Sequence, residues 1–238
     1  MESIIAVGIG IVVLSAIAGW AGYLYRRQGV WRGRLTDAIP VNSKFWRERK
    51  LVKGGLLYVA IGDSAAQGIG ASRPAHSYVG VLAKRLGPQW RVVNLGISGA
   101  TVRIAIDSEL PAFGKLDPDL VTVCIGANDI ANFDEKRFER DIHELFDALP
   151  PHAIVADLPS FYFLPGEKKV VVANRIIRDA AAQRHLTVAP LHARTRRQGL
   201  WGVSTQFAGD LFHPNDRGYR VWASAFASAV DARATALD

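Results

Sequence analysis

Two short clusters carry the residue types that acyl transfer requires. Ser64 ends the tripeptide Gly-Asp-Ser at 62–64, and His213 lies in Asp-Leu-Phe-His-Pro at 210–214. A serine hydroxyl becomes a good nucleophile only when a base takes its proton. An imidazole acts as that base when a carboxylate orients its other ring nitrogen. Ser64, His213 and Asp210 are therefore a candidate nucleophile, base and orienting acid.

Two further clusters supply hydrogen-bond donors. Gly99 lies in Asn-Leu-Gly-Ile-Ser-Gly-Ala-Thr at 94–101, and Asn128 lies in Gly-Ala-Asn-Asp at 126–129. The tetrahedral intermediate of acyl transfer needs donors directed at its oxyanion. Candidates are the backbone N–H groups of Ser64 and Gly99 and the side-chain amide of Asn128. Glycine suits this role because its backbone can approach a substrate closely.

In the sequence that contains these clusters, short apolar runs alternate with longer amphipathic stretches. Alternating strands and helices favour a doubly wound parallel sheet with helices on both faces, and chemistry in such sheets gathers at the carboxyl ends of the strands. Three of the four clusters follow a predicted strand. The predicted strands are Leu57–Ile61, Arg91–Leu95, Leu120–Ile125, Ala153–Ala156 and Leu186–Ala189, and the predicted helices are Tyr78–Leu86, Thr101–Leu110, Lys136–Leu149, Glu167–His185 and Asp216–Ala234.

The four clusters, in this order, resemble the signature blocks of the SGNH hydrolases, the GDSL-type esterase and lipase superfamily. The resemblance covers about residues 56–230, and it departs at Ala65, where the name motif has Leu. It implies a flavodoxin-like three-layer α/β/α sandwich with a five-stranded parallel sheet. It also implies ester hydrolysis on varied substrates without a metal or other cofactor.

Competing motifs are weak. The elbow Gly-x-Ser-x-Gly of another hydrolase class is absent, which makes Ser98 a poor rival nucleophile. Gly68-Ile69-Gly70 begins like a dinucleotide fingerprint, but Arg73 occupies the position of the third glycine. The other histidines lack the spacing of a metal site, and the single cysteine, Cys124, lies in an apolar strand typical of a buried thiol.

The net charge of +7 is concentrated in one segment. Residues 26–55 carry nine bases and two acids, whereas residues 56–238 carry 20 bases and 19 acids. A nucleic-acid-binding domain carries its excess positive charge on the folded body. The nearly neutral body argues against a nucleic-acid partner.

An apolar segment precedes the basic one. Residues 3–25 contain no charged side chain, and 23 residues of helix span roughly 34 Å, enough to cross a bilayer. A cleaved signal peptide lacks support because no base precedes the segment, and buried core helices seldom run this long without charge. We therefore expect a transmembrane anchor at 1–25, a basic juxtamembrane linker at 26–55 and a hydrolase domain at 56–238. The positive-inside rule places the hydrolase domain in the cytoplasm.

The sequence thus predicts a membrane-anchored serine esterase or lipase acting on small-molecule, lipid or glycan esters, thioesters included. Two alternatives stay open: an acyltransferase using the same residues, and a catalytically silent, membrane-tethered module that binds lipids or glycans. Aromatic residues predicted to lie in loops are candidates for an acyl pocket, namely Phe161, Tyr162, Phe163 and Trp201. Oligomeric state and natural substrate are left open.

Overall fold

A parallel sheet organises the chain. The computed structural model describes residues 2–237, apart from the side chains of residues 2–14, 16, 17, 21 and 24. Its five strands follow the order β2-β1-β3-β4-β5, which is the flavodoxin-like order. The predicted five-stranded parallel sheet is confirmed, with every strand end within one residue of its predicted position. The strands are β1 Leu56–Gly62, β2 Trp90–Asn94, β3 Leu120–Cys124, β4 Ile154–Ala156 and β5 Thr187–Ala189.

The register of the central strands brings their carboxyl ends to one edge. Ala60 of β1 is level with Asn94, the last residue of β2, and Gly62 is level with Cys124, the last residue of β3. The segments that follow these three strands therefore leave the sheet side by side. This alignment is what places Ser64, Gly99 and Asn128 in one region.

Helices cover both faces of the sheet. On one face α6 and α7 pack over a core that includes Val59, Val121 and Phe138. On the other face α3 and α10 pack over a core that includes Tyr58, Tyr78 and Phe226. The helices are α1 Glu2–Arg49, α2 Ser64–Gln67, α3 Tyr78–Leu86, α4 Val102–Ile104, α5 Leu110–Phe113, α6 Glu135–Asp147, α7 Glu167–Gln183, α8 Leu191–Arg196, α9 Gly199–Thr205 and α10 Asp216–Thr235, with short 3₁₀ helices at Pro74–His76 and Asn128–Asn132.

The segment predicted as a linker at 26–55 has a different structure. Up to Arg49 it is the second half of α1, and its side chains Leu35, Asn42 and Trp46 are buried against the α/β domain. These positions recur at helical spacing, so they share one face of the helix. The high density of bases obscured that apolar stripe in the sequence.

Most side chains of the anchor predicted over residues 3–25 are outside the part of the chain that the structure describes. Within the part of the chain that the structure describes, no helix combines the length and the apolar character needed to cross a bilayer. The anchor stays a prediction.

The predicted helix over 101–110 is interrupted. Between α4 and α5 the backbone forms a π-helical turn at Ala105–Glu109, and Pro111 then lacks the N–H that an α-helical ladder needs. Local widening of this kind is frequent at functional sites. Its last residue, Glu109, is only 1% exposed.

Glu109 lies behind the strand that leads to Ser64. Its Oε2 accepts a hydrogen bond from the backbone N–H of Gly62 at 3.0 Å. Its Oε1 has no hydrogen-bond partner among the described residues. Burial raises the pKa of Glu109 to about 8, an effect that the nearby Asp63 carboxylate reinforces.

The pH dependence of stability tests this assignment through Glu109→Gln. Because the pKa rises from 4.5 to about 8 on folding, the folded state binds more protons in that window, and the wild-type free energy of unfolding falls as pH rises through it. The glutamine side chain of the variant is neutral at every pH. The free energy of unfolding of Glu109→Gln minus that of wild type should therefore increase with pH by up to about 1.4 kcal/mol per pH unit and level off above pH 8, as measured by urea denaturation.

Glu139→Gln is the matched control because Glu139 is exposed on α6. Its difference from wild type should stay flat across the same pH range. Parallel pH profiles for Glu109→Gln and wild type would contradict the buried, proton-binding carboxyl.

Candidate active site

The structure brings Ser64, His213 and Asp210 into one hydrogen-bonded line. Ser64 Oγ lies 3.0 Å from His213 Nε2, and His213 Nδ1 lies 2.6 Å from Asp210 Oδ2. With the Nδ1 proton directed at the carboxylate, Nε2 is left to accept the serine proton. Residues 149 positions apart in the sequence thus form the geometry that an activated serine needs.

Asp210 is fixed by more than the imidazole. Its Oδ1 accepts hydrogen bonds from the backbone N–H groups of Phe212 and His213, each at 3.1 Å. Burial alone raises the pKa of this carboxyl, but the bonds from His213 and the two amides bring it below its ordinary value. Asp210 is therefore ionised at neutral pH, as an orienting and charge-stabilising partner must be.

A close backbone approach holds the histidine loop over the nucleophile. Gly70 has φ +94°, and a β-carbon there would lie 2.5 Å from the Pro214 carbonyl oxygen and 2.8 Å from His213 Cβ. Only glycine permits this contact without displacing the loop. Next to it, Tyr219 donates a hydrogen bond from its hydroxyl to the Ile69 carbonyl at 2.6 Å, which ties α10 to the same turn.

Gly99 lies in the segment that follows β2, beside the serine. Its φ is +83°, a left-handed conformation that L side chains rarely adopt, and a β-carbon there would meet nothing within 4 Å. The residue therefore borders open space and lines the same cavity as Ser64. Ser64 is the first residue of α2, so its own N–H belongs to the set that a helix start leaves without an intrahelical partner.

Asn128 completes the cluster at the end of β3. Its Nδ2 donates to the Ala100 carbonyl at 2.9 Å, while Asp63 Oδ2 lies 3.5 Å away, at the limit of hydrogen bonding. The first contact fixes the amide, and the weak second contact leaves an N–H that can turn to a substrate oxygen. Ser64, Gly99 and Asn128 thus lie around one cavity.

Two buried carboxyls that sequence reasoning gave no catalytic role support these segments. Asp63 caps α2 by accepting from the Ala65 N–H at 2.8 Å, and Asp129 accepts from the Val102 N–H at 3.1 Å. Burial raises the pKa of each to about 6. Their hydrogen bonds hold the loops that carry Ser64 and Asn128.

An apolar pocket lies beside the cluster around Ser64. A pocket of about 360 Å³ opens beside Ser64 and His213, and Phe161, Tyr162 and Phe163 line it as predicted from the sequence. Trp201 differs: it lies on α9 and not in a loop, is 68% exposed and does not line the pocket. Further apolar residues of the lining are Leu164, Val203, Phe207, Leu211, Phe212 and Trp222.

Gln67 is a contact residue that no motif indicated. Its side-chain amide donates to the Gly96 carbonyl at 2.7 Å, and its Oε1 accepts from Ser98 Oγ at 3.0 Å. It therefore joins the turn that carries Ser64 to the segment that carries Gly99. The only sequence signal for it was its position, three residues after the candidate nucleophile.

A second Ser-His-Asp cluster has the wrong connectivity for catalysis. Ser72 Oγ and Asp216 Oδ2 both contact His76 Nδ1, at 2.9 Å and 2.8 Å. The other ring nitrogen, Nε2, accepts from Arg73 Nε at 2.7 Å. No ring nitrogen is left as a base for Ser72, so this cluster is a useful control for the first one.

Comparison with known solved structures shows the same fold. An α/β hydrolase enzyme, LAE5, from the metagenome of Lake Arreo, Spain, is 24% identical, with a TM-score of 0.64 over 77% of this chain and 98% of its own. A lipolytic protein of the G-D-S-L family from Veillonella parvula is 18% identical, with a TM-score of 0.61 over 73% and 97%. A variant of Axe2, an acetyl-xylooligosaccharide esterase from a Geobacillus species, is 23% identical, with a TM-score of 0.57 over 75% and 95%.

The sequence also matches a family model. No curated protein shows a significant match to the chain. The model of the GDSL-like lipase/acylhydrolase family matches residues 60–221, which span every residue of the cluster around Ser64 and more than half of the chain. The resemblance found in the four sequence clusters is confirmed: the chain belongs to the GDSL-like lipase/acylhydrolase family and is an ester hydrolase.

Proposed function

We propose that this hydrolase cleaves carboxylic esters, thioesters included, through an acyl-enzyme on Ser64. The observation that carries the proposal is the continuous contact from Ser64 Oγ through His213 to Asp210, at 3.0 Å and 2.6 Å. A module that only binds acylated ligands has no need for a nucleophile and a base in contact.

The reaction follows from the geometry in two halves. Ser64 Oγ attacks the carbonyl carbon as its proton passes to His213 Nε2, and the N–H groups of Ser64, Gly99 and Asn128 stabilise the oxyanion. His213 then protonates the leaving alcohol. Water, deprotonated by the same nitrogen, attacks the acyl-enzyme; the bond from the acyl carbon to Ser64 Oγ then breaks, His213 returns the proton to Ser64 Oγ, and the acid is released. Asp210 stabilises each imidazolium.

The apolar pocket supports an acyl-binding role. It opens at Ser64 and His213 and has a volume of about 360 Å³, which at roughly 30 Å³ per water-sized group accommodates about a dozen heavy atoms. Hydrophobic lining with few polar groups is typical of a ligand pocket. We assign it a medium-length acyl chain of about eight to ten carbons.

We also propose, from the sequence alone, that the N-terminal apolar segment is a membrane anchor. Residues 3–25 are uncharged and are followed by Arg26 and Arg27, the pattern of a membrane-spanning segment with its basic side in the cytoplasm. We place the hydrolase domain on the cytoplasmic side of a membrane.

Covalent labelling tests the nucleophile. A fluorophosphonate forms an O–P bond with an activated serine as fluoride leaves and the serine proton passes to the base. Ser64→Ala should abolish both labelling and p-nitrophenyl octanoate hydrolysis, because it removes the attacking oxygen. Ser72→Ala, in the second Ser-His-Asp cluster, should keep both. Labelling of Ser64→Ala at the wild-type level, in protein with an unchanged thermal unfolding midpoint, would assign the nucleophile elsewhere.

A chain-length series tests the acyl pocket. Val203 lines the pocket from α9, so Val203→Trp fills volume that a long acyl chain needs. The ratio of kcat/KM for p-nitrophenyl decanoate to that for the acetate should fall at least about tenfold, equivalent to about 1.4 kcal/mol. Leu200→Trp, on the same helix but 78% exposed, should keep the wild-type ratio. A ratio that Val203→Trp leaves unchanged refutes the assignment.

Membrane extraction tests the anchor with the full chain. Wild-type protein should remain in membranes washed with alkaline carbonate. The double variant Val12→Arg, Leu14→Arg should be released, since each central arginine costs about 2.5–3.5 kcal/mol on insertion. Val41→Arg, at an exposed position later in α1, should remain. Release of the wild type by carbonate would show that residues 3–25 do not anchor the chain.

A further inference from the structure

The second half of α1 forms one section of the wall around Ser64. A cavity of about 350 Å³, separate from the acyl pocket, is bordered by Ser64, Gly99, Asn128 and His213 on the domain side. Its remaining wall includes four residues of α1: Arg32, Leu35, Thr36 and Ile39. This helix lies outside the region 60–221 that the family model matches. One side of the cavity is therefore built by residues outside the matched region.

Hydrogen bonds fix α1 to the segments that carry the reacting groups. Asn42 Nδ2 and Trp46 Nε1 both donate to the Gln67 carbonyl, at 3.0 Å and 3.1 Å. Gln67 ends α2, the turn that begins with Ser64. At the other end, Gln28 Nε2 donates to the backbone carbonyl of Asp210 at 3.0 Å. The helix is thus tied to both the nucleophile turn and the histidine loop, on either side of the cavity.

The two cavities meet at the reacting atoms. Ser64, Asn128 and His213 line both of them, and Phe212 lies between the two. An ester bound with its carbonyl carbon at Ser64 Oγ must direct its acyl chain into one cavity and its alcohol group into the other. Because the larger apolar lining suits the acyl chain, the cavity under α1 is left for the alcohol.

The chemistry of this second cavity differs from that of the first. Arg32, an exposed residue, forms part of its wall, and within the described residues no carboxylate forms an ion pair with this arginine. The wall also includes Asp210, whose carboxylate is buried and bonded to His213. Arginine binds phosphate and carboxylate oxygens through two parallel N–H donors. The cavity therefore presents an unneutralised cation to the leaving group.

We propose that the cavity under α1 is the leaving-group subsite and that Arg32 is its specificity-determining residue, selecting esters whose alcohol carries a phosphate group. The inference rests on the proposed function, since it assigns the alcohol side of the same site. It makes α1 a working element of the active site as well as the connection to the sequence that precedes the domain.

Two esters that differ only in the phosphate test the proposal on the full-length protein. The probes are 1-octanoylglycerol 3-phosphate and 1-octanoylglycerol. Wild type should hydrolyse the phosphate ester with the higher kcat/KM, by about tenfold, the size expected for a charged hydrogen-bonded contact. Arg32→Gln should bring the ratio of the two kcat/KM values close to one, mainly through KM for the phosphate ester. Arg32→Lys, which keeps the charge but not the paired donors, should lie between.

Arg47→Gln is the matched control, because it removes the same charge from the same helix. Arg47 is exposed like Arg32 but does not line the cavity. Its ratio should equal that of the wild type. An equal fall for Arg32→Gln and Arg47→Gln would show a general charge effect and overturn the subsite. So would a wild-type ratio near one.

Hydrolysis of p-nitrophenyl octanoate distinguishes failure of the subsite from failure of the proposed function. A wild-type enzyme that cleaves it but neither glycerol ester keeps the esterase and refutes the subsite. An enzyme that cleaves none of the three esters refutes the proposed function as well.

Discussion

The contact between Ser64 Oγ and His213 Nε2 is the interaction on which the rest of the site depends. It joins the first turn after β1 to the loop before α10, across 149 positions of sequence. Parallel strands in register bring the first of these segments to the sheet edge, and Gly70 lets the histidine loop approach it. Both features are local, and both act on the site by bringing Ser64 Oγ and His213 Nε2 into contact.

The sheet edge also concentrates buried carboxyl groups. Asp63, Glu109 and Asp129 are each 7% exposed or less, and Asp63 raises the pKa of Glu109 while Asp129 raises that of Asp63. Burying carboxylates is unfavourable unless they are protonated or hydrogen-bonded. Here each carboxyl accepts a hydrogen bond from a backbone N–H group, and these bonds position the loops. The site therefore holds its geometry at a cost in stability, as functional sites commonly do.

The strands and the residues around Ser64 could be predicted because their signals are local. An apolar run followed by glycine marks the end of β1, β2 or β3, and the residues that follow carry the chemistry. The second half of α1 was predicted as a linker because its basic residues dominate the composition of 26–55. Its buried face, with Leu35, Asn42 and Trp46, becomes evident only with the surface it covers. The role of Gln67 depends on partners 21 to 31 positions away.

The position of α1 connects these observations. In the region that the family model matches, the four clusters carry the proposed nucleophile, base and oxyanion donors, none of which distinguishes one alcohol from another. Discrimination requires contacts on the far side of the scissile bond, and a helix tied to Gln67 and Asp210 is well placed to supply them. A substitution on the packed face of α1 can therefore alter both substrate preference and the geometry of the reacting groups. Under the proposed subsite, a substitution at Arg32, which lines the cavity, is expected to alter preference alone.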